Sequence, residues 1–293
     1  MNKQSELVKA MQGWNKDLKT FSNPPKGMFG RECIVKTWLV TLNGNDLDIE
    51  FDTKFDDDTE ANEAEIRVYN LSAETIKLLH YNDNITIEAG YKGDTGLIFD
   101  GYISSVKTKW EGVDKITTIK ALDNKSLKER DIAEKTYKAG TTASYILKDL
   151  INMLSLPLAV FKVRRDHTYK EEEKVSGGIM SNIKKYAEIC GISVYINQRK
   201  IYARHLSEGD NINFIVNSDT GLIGSPEEFE EEIAIEDGSE IIKGYKFKML
   251  LQHQLTTAAI IKLQSRDVQG TFRVRAGQHT YNDSEAVTEA EVI

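Results

Sequence analysis

Asp52, Asp56, Asp57, Asp58 and Glu60 crowd carboxylates into one short segment, and clustered oxygens of this kind are the ligands a calcium ion takes. The segment lacks the glycine that an EF-hand loop needs at its sixth position, so a solvated acidic loop is the favoured reading. Zinc requires Cys or His in short, paired spacing. His80, His167, His205, His253 and His279 instead stand singly. The glycine-bounded stretch Gly90 to Gly96 holds Lys92 ahead of its second glycine, where a phosphate cradle needs Gly-Lys-Ser/Thr in sequence. There is no Gly-x-Ser-x-Gly elbow, and neither Cys33 nor Cys190 has a plausible histidine partner. Among 46 acidic residues nothing marks one pair as a buried acid and base. No catalytic residue, cofactor or metal site is therefore expected.

The elements around these residues are more informative than the residues themselves. Asp46, Asp48, Glu50 and Asp52 alternate with Leu47, Ile49 and Phe51, the period of a strand with one polar face. From 46 to 65 there are ten acidic residues against Lys54 alone. Next, Ile66 and Val68 share one face of an extended segment, with Glu65, Arg67 and Tyr69 on the other. Asn70 and Ser72 break that strand, and Ser72 can cap a short helix carrying Ile76, Leu78 and Leu79. Ile85, Ile87 and Ala89 alternate again, and Gly93-Asp94 sits inside a hairpin connection.

The order of these elements, with the strings NEAEIRVYNLS, EAGY and IFDGYI, resembles the first barrel of baseplate hub proteins of contractile phage tails and related tail-like particles. Gly221-Leu222-Ile223-Gly224-Ser225-Pro226, Met249-Leu250-Leu251 and Gly270-Thr271-Phe272-Arg273-Val274 are similar to that family's C-terminal region, so the resemblance covers about residues 30 to 290. It marks Asn62, Ala64, Tyr69, Asn70, Leu71, Gly90, Tyr91 and Gly101 as structural motif positions. It implies a non-enzymatic subunit of a virion or tail-particle baseplate, made in the host cytoplasm, that joins the tail tube to a central spike. Its implied partners are two further copies of itself in a homotrimeric ring, tube proteins, the spike, other baseplate proteins and the tape-measure protein. Three chains of two barrels each would present six barrels to a six-fold tube and three-fold symmetry to the spike. In such a ring, Asp46, Asp48, Glu50 and Asp52 become candidates for the channel wall, where like charge keeps a polyanion from sticking. The alternative is a cell-wall-binding or peptidoglycan-cleaving tail component. An aromatic sugar platform is not evident for it, since Trp14, Trp38 and Trp110 are dispersed.

Composition bounds the rest. The 293 residues suffice for two domains, with 40% hydrophobic and 29% charged residues. No apolar run approaches the ~20 residues of a membrane span, and Met1 to Lys9 lack the apolar core of a signal peptide. Two distant cysteines argue against a disulfide framework. A net charge of −8 opposes nucleic-acid binding, and the basic cluster Lys162, Arg164, Arg165 with His167 reads as a solvated loop.

The expected fold class is β-rich α+β: two small β-barrel domains flanking a small α+β module, preceded by an amphipathic helical arm. The arm spans residues 1–28, the first barrel 29–130, the α+β module 131–205, and the second barrel, with a linker and a polar tail, 206–293. Trp38-Leu39-Val40 reads as a strand, 206 to 221 as linker, Glu227 to Glu232 as an interruption, and the last eleven residues as tail. In the arm, Leu7, Met11, Trp14 and Leu18 form one helical stripe that Pro24 and Pro25 end. A helix this short is marginal alone, so the stripe is expected to dock on a surface. Deleting residues 1 to 22 should leave the barrels folded and block particle assembly. A thermal midpoint lowered by many degrees in the isolated chain would place the stripe on its own body instead.

Overall fold

A computed structural model describes residues 29–124, 131–235 and 238–293, without the side chains of 231–235 and 238–240. The arm stripe Leu7, Met11, Trp14 and Leu18 lies outside the described residues. The first β-rich stretch comprises β1 (Arg31–Thr37), β2 (Thr41–Asn43), β3 (Ile49–Phe55), β4 (Glu63–Tyr69), the short α1 (Ala73–Ile76), β5 (Asn84–Tyr91), β6 (Asp94–Glu111) and β7 (Asp114–Leu122). The middle contains β8 (Asp131–Tyr137), α2 (Ala143–Met153), β9 (Leu158–Phe161), β10 (Glu173–Gly178), α3 (Ile179–Ile189), β11 (Ser193–Asn197) and β12 (Lys200–Arg204). The last stretch contains β13 (Asp210–Val216), β14 (Leu222–Ile235), β15 (Gly238–Leu250), β16 (Ala259–Gln264), β17 (Gln269–Tyr281) and β18 (Ala286–Val292).

Contacts divide the chain into two compact units. One takes the chain up to Asp56, Glu63–Ala121 and Ser207–Ile293; the other takes Asp57–Asn62 and Leu122–Leu206. In the first unit a thirteen-stranded sheet runs β14-β15-β18-β17-β3-β4-β7-β6-β5-β1-β2, with β16 on β17 and β13 on β16. The two β-rich stretches are thus hydrogen-bonded into one sheet, through antiparallel pairing of β3 with β17 from Phe51↔Tyr281 to Phe55↔Gly277.

Two apolar clusters back this sheet. Ile49, Phe51, Ile66, Val68, Ile85, Ile87, Phe99, Ile103 and Ile119 belong to the first. Phe55, Phe214, Phe247, Met249, Ile261, Leu263, Val274 and Val292 belong to the second. The alternation in β3, buried at Ile49, Phe51, Thr53 and Phe55, supplies both. Each such aliphatic or aromatic side chain contributes about 1.5–3 kcal/mol when fully buried.

The second unit packs α2 and α3 over a three-stranded sheet, β11-β12-β9, with Ile146, Leu147, Leu150, Ile183, Tyr186, Val194 and Ile201 in its core. Thr142 caps α2 by accepting the Tyr145 N–H, and Asp166 adds a second acceptor at that end for the Ser144 N–H at 3.0 Å. Two matched clamps hold the edges: Asp149 accepts from Lys135 and the Tyr137 hydroxyl at 2.5 Å each, and Glu173 from Lys185 at 3.1 Å and the Tyr186 hydroxyl at 2.7 Å.

Several expectations are corrected. Trp38 and Leu39 lie in a turn, not a strand: the Thr37 N–H donates to Val40 O at 2.8 Å and Thr37 Oγ1 accepts from the Val40 N–H at 3.1 Å. Asp46 and Asp48 precede β3 in a turn, so only Glu50 and Asp52 stand on the strand. The supposed linker contains β13, which pairs parallel with β16 across a bulge at Asn211/Phe214. The acidic run does not interrupt β14, because the hairpin partner supplies cations: Lys243 reaches Glu230 at 2.7 Å and Glu228 at 3.4 Å. The supposed polar tail is β18, with Ala286, Val287, Ala290 and Val292 buried. Small alanines between glutamates weaken the apolar signal there, and pairing on both sides by β15 and β17 supplies the order.

The seam depends on a missing side chain. A Cβ at Gly277 would stand 2.4 Å from the Phe55 ring and 2.4 Å from Glu289 O. Gly277→Ala should therefore destabilise the chain by about 1–3 kcal/mol, the usual cost of overpacking, measured by urea unfolding. An unchanged midpoint would mean that both the Phe55 ring and the β18 backbone at Glu289 shift aside freely.

Candidate functional site

Among the described residues no group of three or more His, Cys, Asp or Glu could hold a metal ion. Both cysteines are buried, and burial pushes the thiols up, to about 12 for Cys33 and about 11 for Cys190. A thiol that stays protonated is a poor nucleophile. The positions singled out in the sequence build parts of a scaffold and of a charged surface.

The motif residues close loops and edges. Asn62 is buried, its N–H and Nδ2 donate to the Asp123 carboxylate at 3.0 and 2.8 Å, and Nδ2 also donates to Ile196 O at 3.0 Å. Ala64 is fully buried in β4, and Leu71 enters the first core. Asn70 adopts φ 56°, a left-handed turn that asparagine tolerates. Its N–H donates to Lys115 O at 2.8 Å, its Oδ1 accepts the Lys115 N–H at 3.0 Å, and Nδ2 donates to Asp114 at 3.1 Å. This single side chain ends β4 and starts β7. Gly90 has φ 154°, and a Cβ there would stand 2.2 Å from Asp94 O, so only glycine fits. Tyr91 donates its hydroxyl to Ala286 O at 3.0 Å, Gly101 pairs with Ile85 inside the sheet, and Tyr69 is half-buried near Glu50.

The acidic candidates do not form one row. Glu50 and Asp52 lie on the polar face of β3, register-paired with Arg67 and Glu65. Asp52 accepts from Thr280 Oγ1 at 2.8 Å and Gln278 Nε2 at 3.0 Å. Beside them Glu65 accepts from Arg67 at 2.9 Å and meets Lys120 at 3.2 Å. The Arg67 and Lys120 hydrogen bonds hold the Glu65 carboxyl below its usual range against a smaller opposing effect of burial. The face continues over β17, β18 and β15 through Gln278, Glu289, Glu291, Lys246 and Lys248. Lys246 meets Glu291 at 2.5 Å and Lys248 meets Glu285 at 2.8 Å. Asp46 and Asp48 instead line a separate cleft of about 440 Å³ with Arg31 and Asp283. Partial burial, then the carboxylates of Asp283 and Asp114, raise the Asp48 carboxyl above its usual value.

Three seam residues, Arg31, Tyr281 and His279, escaped the sequence reading. Arg31 gathers carbonyls of the β17–β18 turn, Asn282 O at 2.8 Å, Asp283 O at 3.2 Å and Ser284 O at 3.3 Å. Phe51 stacks on Tyr281 at 5.3 Å. His279 is buried, with Nδ1 2.9 Å from Thr288 Oγ1 and its ring 4.9 Å from Phe55. No local pattern announces contacts made across some 250 residues.

A continuous β sheet backed by two cores, with an α+β insertion between its halves, is a fold found in phage tail proteins. A 43 kDa tail protein of prophage MuSo2 from Shewanella oneidensis superposes with TM-score 0.66 at 6% identity, over 90% of this chain and 97% of that one. A tail protein from Neisseria meningitidis MC58 gives 0.63 at 8%, over 90% and 96%. The E. coli c3393 protein, a type VI secretion system component with structural similarity to the T4 tail proteins gp27 and gp5, gives 0.62 at 10%, over 88% and 76%. No curated protein sequence matches. The family model described as Baseplate hub gp41 matches residues 40–270, and the chain belongs to that family. It is a β-rich baseplate hub protein of a phage-type tail.

Burial, with a lesser contribution from the neighbouring His253, depresses the His279 imidazole from 6.5 to about 3 in the fold. Below pH 6.5 the unfolded chain takes up a proton that the folded chain refuses, so stability falls as pH drops toward 3, by up to about 1.4 kcal/mol per unit. His279→Asn, which keeps a nitrogen for Thr288, should flatten the decline in unfolding free energy between pH 6.5 and 5. An unchanged slope would assign the decline to other groups.

Proposed function

We propose that this hub protein acts as a geometric adaptor, a ring of three chains that joins the tail tube to the central spike. Its two β-rich halves serve as two tube-like barrel modules, so that three chains offer six modules to the tube and three-fold symmetry to the spike. The observation that carries this reading is the β3–β17 seam, which makes two separately cored halves one sheet. Two modules fixed in this way turn as one body, and a chain must hold two equivalent positions rigidly if it is to match a ring of doubled symmetry.

The polar face of the sheet is the surface we assign to the channel. Glu50 and Asp52 stand on it, with Glu65 and Glu289 extending it across both halves, while Ile49 and Phe51 fill the core. Asp46 and Asp48, in the separate cleft with Arg31 and Asp283, lie outside that surface. Such a wall offers cargo hydrogen bonds that are already satisfied within the protein, and a mild negative potential that a narrow passage focuses. The adaptor reading involves no turnover, and its partners are tube, spike, neighbouring baseplate subunits and the tape-measure protein that passes through. The N-terminal stripe is assigned to docking on a neighbouring subunit.

Imaging of assembled particles tests this directly. Three copies are expected at one end of the tube, with Glu50 and Asp52 facing the passage. Six or twelve copies would overturn the adaptor reading, and those carboxylates on the outer rim would reduce the acidic face to a solvated surface.

A further inference from the structure

Residues 251–258 connect β15 to β16 as a buried strap. Leu251, Gln252, Leu255, Thr257 and Ala258 are all buried, although connections of this kind normally run over the surface. The strap is hydrogen-bonded to both β-rich halves of the first unit. Toward the first half, Gln252 Nε2 donates to Asp94 at 3.2 Å and Thr257 Oγ1 donates to Asp56 O at 3.0 Å. Toward the second, the Leu251 N–H donates to Ala286 O at 2.9 Å and the Ala258 N–H to Val274 O at 2.8 Å.

Two histidines meet under this strap. His279 of β17 faces β3 through the Phe55 ring at 4.9 Å and its register partner Thr53. It faces β18 through Thr288 Oγ1 at 2.9 Å, and its ring hydrogen-bonds the Leu255 backbone of the strap. Thr288 Oγ1 also accepts the Gln252 N–H at 2.9 Å, so the same hydroxyl serves ring and strap. Among the described residues the charge that bears on His279 is that of His253, which has the same sign. A proton on His279 would therefore be a buried charge without a counter-ion, which is costly.

His253 belongs to the strap itself. Its ring lies against Gly96 of β6, where a Cβ would stand 2.1 Å from it. Its Nδ1 is buried without a hydrogen-bond partner, 3.8 Å from Asp94 Oδ1, too far for a hydrogen bond. Asp94 is the charged group that faces it, and burial outweighs that carboxylate, holding the imidazole below its usual value. The closed strap thus keeps two neighbouring imidazoles uncharged, and opening it would hydrate both.

We infer that the strap is an acid-released clasp, shut across the two β-rich halves over uncharged His253 and His279 and opened by proton uptake on them. In the released form the halves stay joined through β3 and β17 but lose the Gln252–Asp94 and Thr257–Asp56 bonds. The first unit is then held twice at neutral pH and once in acid. The clasp is a property of the single chain and does not depend on the ring reading. The sign follows from linkage. Both imidazoles sit below their ordinary 6.5 in the closed form, so under that pH the opening constant grows by up to about tenfold per pH unit for each proton taken up.

Amide hydrogen exchange on the whole chain, corrected for the intrinsic rate at each pH, tests the clasp. Between pH 7 and pH 5 the opening constant of the strap amides should rise about tenfold or more, while the β4 amides stay protected. The double variant His253→Gln, His279→Asn, which has no ring to charge, should lose most of that rise. Strap protection that does not change with pH would overturn the clasp, as would protection lost in step with β4 or a full rise in the double variant. Should that variant fail to fold, ring-proton NMR of the parent chain decides. A His279 that titrates together with the loss of strap protection upholds the clasp, and one that titrates while the strap stays protected overturns it.

Discussion

The pairing of β3 with β17 is the interaction on which the rest of the first unit depends. β3 lies near the start of the chain and β17 near its end, so closing this pair fixes a loop of more than two hundred residues and costs the corresponding chain entropy. What offsets that cost is concentrated at the seam: Phe51 on Tyr281, Phe55 over Gly277 and beside His279, and Arg31 on the β17–β18 turn. Gln252 reaches Asp94 at 3.2 Å, and Thr257 donates to Asp56 O at 3.0 Å. Aromatic rings laid over a cross-strand glycine let two backbones approach while still burying area. A non-local pairing of this kind is expected to form late in folding.

The polar face gains its character from the same register. Because side chains alternate strictly, the pairing that puts Phe51 and Phe55 into the two cores also places Asp52 beside Thr280 and Gln278. Most of the charges on this face are engaged by a neighbour, Glu65 by Arg67 and Lys120, Glu291 by Lys246, Glu285 by Lys248. Exposed pairs of this kind add little to stability. Their consequence is a surface whose charges are largely engaged by their neighbours.

Much of this was legible locally. Ser72 caps α1 by accepting the Thr75 N–H, and the strict alternation of 49 to 55 and 63 to 69 becomes β3 and β4. These features depend on neighbours a few residues away. The resemblance of 62 to 103 to hub proteins likewise led to the right family. What escaped was long-range or diluted. β18 mixes alanine and glutamate, β13 follows Asn and Asp and turns through a bulge, and the edge of β14 reads as a plain acidic run until Lys243 and Lys246 are placed beside it. His279 and Arg31 carry no pattern of their own. Their importance comes from partners that only the closed seam supplies.

The second unit is a self-contained insertion in the chain that forms the sheet. The second unit leaves the first after β7 and returns before β13, and its core is built almost wholly from its own residues, with its own caps and its two tyrosine–carboxylate–lysine clamps. A module that satisfies its own backbone groups and buries its own apolar faces asks little of the sheet in which it is inserted. Substitutions on its exposed surface should then leave the β3–β17 register undisturbed.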